Sequence, residues 1–335
     1  MAQSRFYSRR KNLISLMEEK GIEALLLNSR SDLFYYTGIK AENCYLLIPR
    51  NSTPCIFRTS LENQIDGAKN LKVFLIRELS EMAKRLKSFK RIGFDEYSTN
   101  YYAFSIIKKS GLKLEPSASI IKKPRMVKDE QEIEQIKKSA QITRKAISTI
   151  GDISGKKEIE VANRIDLLFR NLGAKNSFDT IVASGRNSAI IHHKPDLTAI
   201  KRKSLTIVDA GARLNNYCSD MTRTFCQNPG KKERQIMENI SQVQGELIDS
   251  IRCGVTYDEI QKKYESLMKS KGYKVMHSFG HGVGISIHER PSKGDILEAG
   301  MVITVEPGAY IKNFGGCRKE DMIIIRKGKP KILTI

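Results

Sequence analysis

The chain has no tryptophan, and only five histidines and nine prolines in 335 residues. Its six cysteines, Cys44, Cys55, Cys218, Cys226, Cys253 and Cys317, include no C-x-x-C pair. That excludes a dithiol redox motif and a finger-type zinc site built on paired thiolates. Scattered cysteines in a chain this long read as reduced thiols, so a cytoplasmic location is expected. No apolar run reaches the roughly 20 residues that a membrane-spanning helix needs. Met1 to Arg10 is polar and lacks the apolar stretch of a secretory signal. Acidic residues are scarce as well, 37 against 58 basic ones, for a net charge of +21. Clustered cations would suit a nucleic-acid surface. Here they come in short groups spread along the chain, such as Arg9-Arg10-Lys11, Lys122-Lys123 and Lys201-Arg202-Lys203, without interleaved aromatics. A solvated Lys-rich surface is the reading adopted, with neither nucleic acid nor membrane as a partner.

The few histidines are concentrated. His192, His193, His277, His281 and His288 all lie in the stretch that also holds Asp209 and Asp220, eleven apart, and Glu306 and Glu320, fourteen apart. Imidazole and carboxylate are the usual ligands of divalent transition metals. Four carboxylates and a histidine can hold two such ions through shared oxygens, an arrangement that activates water for hydrolysis. Asp209 ends the apolar run Leu205 to Val208 before Ala210-Gly211, and a tight connection through Asn215-Asn216 would bring a second strand carrying Asp220 beside it. Asp220 could instead simply pair with Arg223. His281 stands among glycines in Gly280-His281-Gly282-Val283-Gly284, which permits close backbone approach. The seven-residue spacing to His288 would place the two on opposite faces of a strand unless the loop bends. Glu306 precedes Pro307-Gly308, again at a strand end.

Around this constellation the pattern predicts two domains, 1–124 and 125–335. In the first, a helix to Lys20 stopped by Gly21 precedes strands at 22–27, 45–49, 54–59, 71–76 and 91–94, with helices at 79–89 and 100–109 between them, an α/β arrangement. The segment 120–128 reads as an extended boundary. Two helices follow, the first opened by a capping box of Asp129 and Glu132, and then strands at 178–183, 205–209 and 217–225. Helices at 233–251 and 256–271, the second with Thr256 and Glu259 at capping-box spacing, lead to strands at 301–306 and 322–326. The order of helix, helix and strands thus occurs twice, which predicts two structural halves facing each other.

The segments FDTIVASGRNSAIIHH (178–193), IVDAGA (207–212), YCSDMTRTF (217–225), GHGVGISIHE (280–289), GMVITVEPGAYI (300–311) and GGCRKED (315–321) resemble the M24 metallopeptidases, in particular the Xaa-Pro branch of aminopeptidase P and prolidase. RRKNLISLMEEKGIEALLLNSRSDLFYYTG (9–38) resembles that branch's non-catalytic N-terminal domain. The resemblance implies a creatinase-like α/β N-terminal domain and an α+β "pita-bread" catalytic domain of two pseudo-symmetric halves. It implies five metal ligands, Asp209, Asp220, His281, Glu306 and Glu320. Of these, Asp220 and Glu320 would bridge two divalent ions, most often Mn²⁺, with Co²⁺, Zn²⁺ or Fe²⁺ as alternatives. Glu306 would shuttle protons, His192 and His288 would steady the tetrahedral intermediate, and His277 and Arg318 would line or orient the site. His193 is expected to be a neighbour only, and Tyr35 and Tyr36 either reach a partner subunit's site or serve the core. The implied activity is aminopeptidase P-like cleavage before a proline in small peptides. The alternatives are a strict Xaa-Pro dipeptidase or, at more distance, a non-catalytic binding protein on the same fold, and a homodimer is implied. Three positions depart from the family pattern. The stretch after His288 (ERPSKGDILEAG) is short, Lys319 replaces an apolar residue, and Ile191 replaces a proline. The short stretch leaves Arg290, Ser292 and Lys293 as candidates for gripping a substrate carboxylate.

Overall fold

The computed structural model describes residues 2–62, 65 and 71–335, and the chain divides into two compact units, Met1–Arg125 and Met126–Ile335. In the first unit the uninterrupted run Ala24-Leu25-Leu26-Leu27 forms β1, buried at every position, as expected of a strand covered on both faces. It lies at the middle of a six-stranded sheet of order β4-β3-β2-β1-β5-β6, where β2 is Cys44–Pro49, β3 Cys55–Arg58, β4 Lys72–Leu75, β5 Arg91–Phe94 and β6 Lys113–Pro116. Strand β1 runs antiparallel to β2 and parallel to β5.

The helices of this unit are α1 (Ala2–Lys20), α2 (Arg30–Thr37), α3 (Leu79–Leu86), α4 (Tyr101–Lys109) and α5 (Ala118–Lys122). Helix α1 ends as predicted at Gly21, with φ of +65° and its N–H on the Glu18 carbonyl. The sequence pattern does not predict helix α2. Its Leu33-Phe34-Tyr35-Tyr36 run looks strand-like, but Ser29 caps its start by accepting from the Asp32 N–H at 3.1 Å, and Gly38 at φ +77° closes its end. Tyr35 and Tyr36 are buried, and their hydroxyls donate to the carbonyls of Pro124 and Ile121. Both therefore serve the core of this unit. The boundary segment is not extended, because α5 runs into a 3-10 turn at Lys123–Arg125.

The second unit opens with α6 (Glu130–Ser148) and α7 (Glu158–Asn171). The capping box of Asp129 and Glu132 is formed in both directions. Strands β7 (Lys175–Asn176), β8 (Ile181–Ser184), β9 (Thr206–Ala210), β10 (Ala212–Leu214), β11 (Tyr217–Cys218) and β12 (Met221–Phe225) follow. Then come α8 (Lys231–Ser250) and α9 (Tyr257–Ser270), the latter started by the Thr256–Glu259 box. The last strands are β13 (Val302–Val305), β14 (Gly308–Ile311), β15 (Gly315–Arg318), β16 (Asp321–Ile324) and β17 (Lys331–Ile332).

Each half has its own core. Val161, Ile165 and Phe169 of α7 pack on Val182, Val208 and Met221, while Ile240, Val243 and Leu247 of α8 pack with Ile303, Val305 and Ile323. The halves meet where β12 lies along the segment 318–320. There the Glu320 N–H donates to the Thr222 carbonyl, and Thr224 Oγ1 exchanges hydrogen bonds with the Arg318 backbone. No helix among the described residues is long and apolar enough to cross a membrane. All six cysteines are unpaired.

Candidate metal centre

Strand pairing puts the acidic pair together. Asn215 and Asn216, with φ of +50° and +71°, form the two-residue connection of a hairpin that pairs Leu214 with Tyr217. Both central residues at positive φ are what such a turn needs, and asparagine tolerates it. Beyond Gly211 the ladder resumes with Asp209 opposite Thr222 and Ala210 opposite Met221, so Asp220 sits at the break between β11 and β12, beside Asp209. That break is where the predicted single strand 217–225 divides.

From the other half, β13 aligns three residues. The 279–281 segment is zipped to it by Glu306 N–H to the Phe279 carbonyl and Thr304 N–H to the His281 carbonyl, both 2.8 Å. The Thr304 hydroxyl accepts from the His281 N–H at 3.0 Å and donates to Glu306 Oε1 at 3.2 Å. The bend needed between His281 and His288 is a loop closed on itself, in which Gly282 and Glu289 exchange both backbone hydrogen bonds. It brings the His281 and His288 rings to 4.3 Å between centroids. A Cβ on Gly282 would lie 2.0 Å from the Arg290 carbonyl oxygen. Gly282→Ala is therefore expected to cost about 1–3 kcal/mol, through overpacking that backbone cannot relieve, and to impair activity. Thermal melting together with hydrolysis assays would check this, and a native-like variant would refute the steric account.

One ligand atom each from Asp220, His281 and Glu320 lies within 4.8 Å of the others. His281 Nε2 is 3.6 Å from Asp220 Oδ2 and 3.4 Å from Glu306 Oε1. His281 Nδ1 faces the Gly282 carbonyl at 3.1 Å and so carries the proton, leaving the Nε2 lone pair toward the carboxylates, the tautomer a metal ligand needs. Asp209 Oδ1 and Asp220 Oδ1 are buried without a hydrogen-bond partner. Burial raises the proton affinity of Asp220 and Glu320 well above the ordinary carboxylate range, and repulsion from neighbouring carboxylates adds to it. Burial likewise raises Glu306. Orphaned oxygens and mutually repelling buried carboxylates are a donor set that a divalent cation would satisfy, so these residues fit one. Asp220 is not paired with Arg223, whose guanidinium binds Asp321 at 2.6 Å.

Arg318 ties the supporting residues together. Its NH2 donates to Asp209 Oδ2 at 2.7 Å, its NH1 to the Tyr310 hydroxyl at 2.8 Å and its Nε to Thr222 Oγ1 at 3.2 Å. Thr222 Oγ1 donates in turn to Glu320 Oε2 at 2.7 Å. His277 Nδ1 lies 2.8 Å from the Ser278 carbonyl and holds the proton, so its Nε2 accepts from the Tyr310 hydroxyl at 2.9 Å. Burial lowers the His277 pKa, in keeping with a neutral ring. The sequence pattern does not single out Thr222, Thr304 or Tyr310. Hydroxyl residues on strands carry no pattern that marks them, and only the strand register brings these to the carboxylates.

The cluster opens into a cavity of about 560 Å³ whose lining includes Asp209, Asp220, His281, Glu306, Arg318 and Glu320. His192, His193, His277 and His288 line it too, with apolar walls from Phe178, Ile191, Met276 and Ile287. Burial, then repulsion from His281 and His192, brings His288 down to about 4, so its ring is neutral at pH 7. Lys319 turns away and donates to Ser241 Oγ at 2.8 Å. Arg290, Ser292 and Lys293 are not among the lining residues, and Arg290 is bound to Asp295 by both Nε and NH2. The cations of the lining are Lys194 and Arg318.

Comparison with known proteins agrees with this geometry. Residues 134–327 match Metallopeptidase family M24, and residues 9–127 match the Creatinase/Prolidase N-terminal domain. An Xaa-Pro dipeptidase of Pyrococcus horikoshii is 34% identical over 337 residues, covering 97% of this chain and 96% of the relative. The crystal structure of the prolidase from Pyrococcus horikoshii OT3 matches with a TM-score of 0.91 at 34% identity, over 98% of each chain. That of an X-Pro aminopeptidase from Thermotoga maritima matches with a TM-score of 0.87 at 29% identity, over 97% of each chain.

Proposed function

The chain belongs to metallopeptidase family M24, and from that premise we propose that it is an Xaa-Pro peptidase, hydrolysing the bond that precedes proline at the second position of a small peptide. The observation that carries the reading is the buried group of Asp220, His281 and Glu320, flanked by Asp209 and Glu306 and open to a cavity of peptide size. Asp209, Asp220, His281, Glu306 and Glu320 would hold two divalent cations, with Mn²⁺ as the first choice for a set rich in oxygen donors. When bound, they would polarise the scissile carbonyl and the attacking water.

The chain's own residues supply the rest. Glu306, its proton affinity raised by burial, takes the water's proton and returns it to the leaving proline nitrogen. His192 and His288 donate N–H groups to the charge developing on the carbonyl oxygen, a contribution of about 2.7–4 kcal/mol for one well-placed donor. Arg318 holds Asp209 in place, and Tyr310 links it to His277. The apolar walls of Phe178, Ile191, Met276 and Ile287 suit the proline ring and the residue before it.

Relatives named as dipeptidases support dipeptide cleavage, and the Thermotoga maritima structure supports the aminopeptidase form. One observation favours tolerance of longer peptides. The 290–293 loop directs no cation into the cavity, so nothing there demands a free carboxylate directly after proline. After Mn²⁺ loading, Ala-Pro and Ala-Pro-Ala are both expected to be cleaved, with a chelator abolishing both activities. Cleavage of Ala-Pro alone would restrict the protein to dipeptides, and failure on both despite bound metal would overturn the reading.

A further inference from the structure

Of the five histidines, His193 has no part in the chemistry proposed above, yet its ring partner, Glu158, sits at the centre of four hydrogen bonds. Glu158, the first residue of α7, is completely buried. Its Oε1 accepts from the Ser184 N–H at 2.6 Å and from Asn187 Nδ2 at 3.1 Å. Its Oε2 accepts from His193 Nε2 at 2.7 Å and from the Asp196 N–H at 3.2 Å. The two backbone N–H groups and the Asn187 amide can only donate, so the carboxylate is arranged as an acceptor and His193 turns its Nε2 N–H toward it. The N-terminus of α7 adds a favourable field for the charge. Asp196 also stands near this pair, but the four donors leave Glu158 no lone pair aimed at a cation, so the group is a hydrogen-bond hub.

The partners of Glu158 come from both ends of one loop. Ser184 ends β8 and Asn187 lies in the following 3-10 turn, while His193 and Asp196 lie on the return. The returning segment is fastened again to α7, by the Glu158 N–H on the Thr198 carbonyl and the Ile159 N–H on the Asp196 carbonyl, both 3.1 Å. On its other side the loop docks on β15, where Ser188 Oγ accepts from the Gly316 N–H at 2.7 Å. His192 sits at the free crest of this clamped loop, its side chain exposed to the cavity. We infer that Glu158, acting through His193, is a positioning residue that fixes His192 over the reacting carbonyl. The inference rests on the proposed role of His192.

The test is a double-mutant cycle joined to a spectrum that does not depend on turnover. His193→Phe removes one donor from Glu158 and frees the crest. It is expected to lower kcat on Ala-Pro by roughly ten- to a hundredfold, the effect of a misplacement near 1 Å, with KM changed less than about twofold because the donor acts on developing charge. His193→Gln, which keeps a donor at similar reach, recovers most of the rate. In a His192→Ala background, His193→Phe adds less than about twofold, since coupled residues are not additive. Glu158→Gln, which turns an N–H₂ toward existing donors, gives the same pattern if it folds. With only five histidines in the chain, ¹⁵N-histidine spectra resolve each ring. The His192 signal is expected to shift or broaden in His193→Phe while those of His277 and His281 hold. Multiplicative effects in the cycle, or native kcat and an unmoved His192 signal in a His193→Phe chain that melts normally, would overturn the inference. Inactivity of the native chain on Xaa-Pro peptides would sink the substrate reading alone, and the spectrum would still decide the positioning.

Discussion

Asp220→Asn is expected to abolish metal binding and peptide hydrolysis while raising the melting temperature of the metal-free protein. The two effects come from one cause. Asp220 is buried against Glu320, Asp209 and Glu306, and burial, then the charge of Glu320, hold its proton affinity far above that of a solvated carboxylate. Folding without a cation must either neutralise this group or bear its charge out of water. Asparagine keeps the shape and removes the charge, so the metal-free fold is relieved. The same change deletes a donor that faces His281 Nε2 at 3.6 Å and groups with Glu320. Loss of the electrostatic stabilisation that bound cations supply, several kcal/mol, corresponds to a rate decrease of roughly a thousandfold or more. Metal content, Ala-Pro hydrolysis and melting with and without Mn²⁺ measure all three consequences. A variant that still cleaves Ala-Pro at the native rate would show that the carboxylate cluster is not the catalytic centre. One with a lower metal-free melting temperature would show that its charges are not in conflict.

Much of this arrangement was legible in the sequence, for local reasons. The capping boxes at Asp129 and Thr256 and the helix stop at Gly21 are short-range chemistry, and the structure forms all three. The paired asparagines predict a hairpin because their φ angles must be positive, and that turn leads to the neighbouring Asp209 and Asp220. Gly280 and Gly282 predict close approach, and each would place a Cβ 2.0 Å from a carbonyl oxygen. The repeated order of helix, helix and strands announces the two halves, each closed on its own core.

Hidden from the sequence were features set by register and distance. Helix α2 rests on a single capping serine and a terminal glycine around an apolar run that reads equally as a strand. Thr222 becomes part of the site because β12 places it opposite Asp209, and Tyr310 because β14 pairs with the strand that carries Arg318. The pairing of Glu158 with His193 spans 35 residues and no pattern within either segment predicts it. Side chains proposed to act on substrate stand in recognisable motifs, whereas those that hold them there depend on the tertiary fold.

Removal of metal is expected to lower the melting temperature of the Met126–Ile335 unit by an amount that grows as the pH rises from about 5 to about 8. Asp220, Glu320 and Glu306 all have raised proton affinity in the folded, cation-free protein, mainly through burial. A group of this kind binds its proton more tightly folded than unfolded. Its stabilising contribution is complete below the ordinary carboxylate pKa of about 4 and is lost as pH climbs through the raised folded value. The metal-free protein therefore weakens on going from acid to neutral pH. The loaded protein is expected to behave oppositely, because cations would be held by ionised carboxylates and a neutral His281, both more abundant at higher pH. At a free concentration a hundredfold above Kd, each ion adds about 2.7 kcal/mol, or roughly 5–10 °C for a unit of this size. Calorimetry at several pH values, with Mn²⁺ and with a chelator, would measure the gap. A gap that is constant, or wider at pH 5 than at pH 8, would mean that the buried carboxylates do not bind the ions on which stability depends.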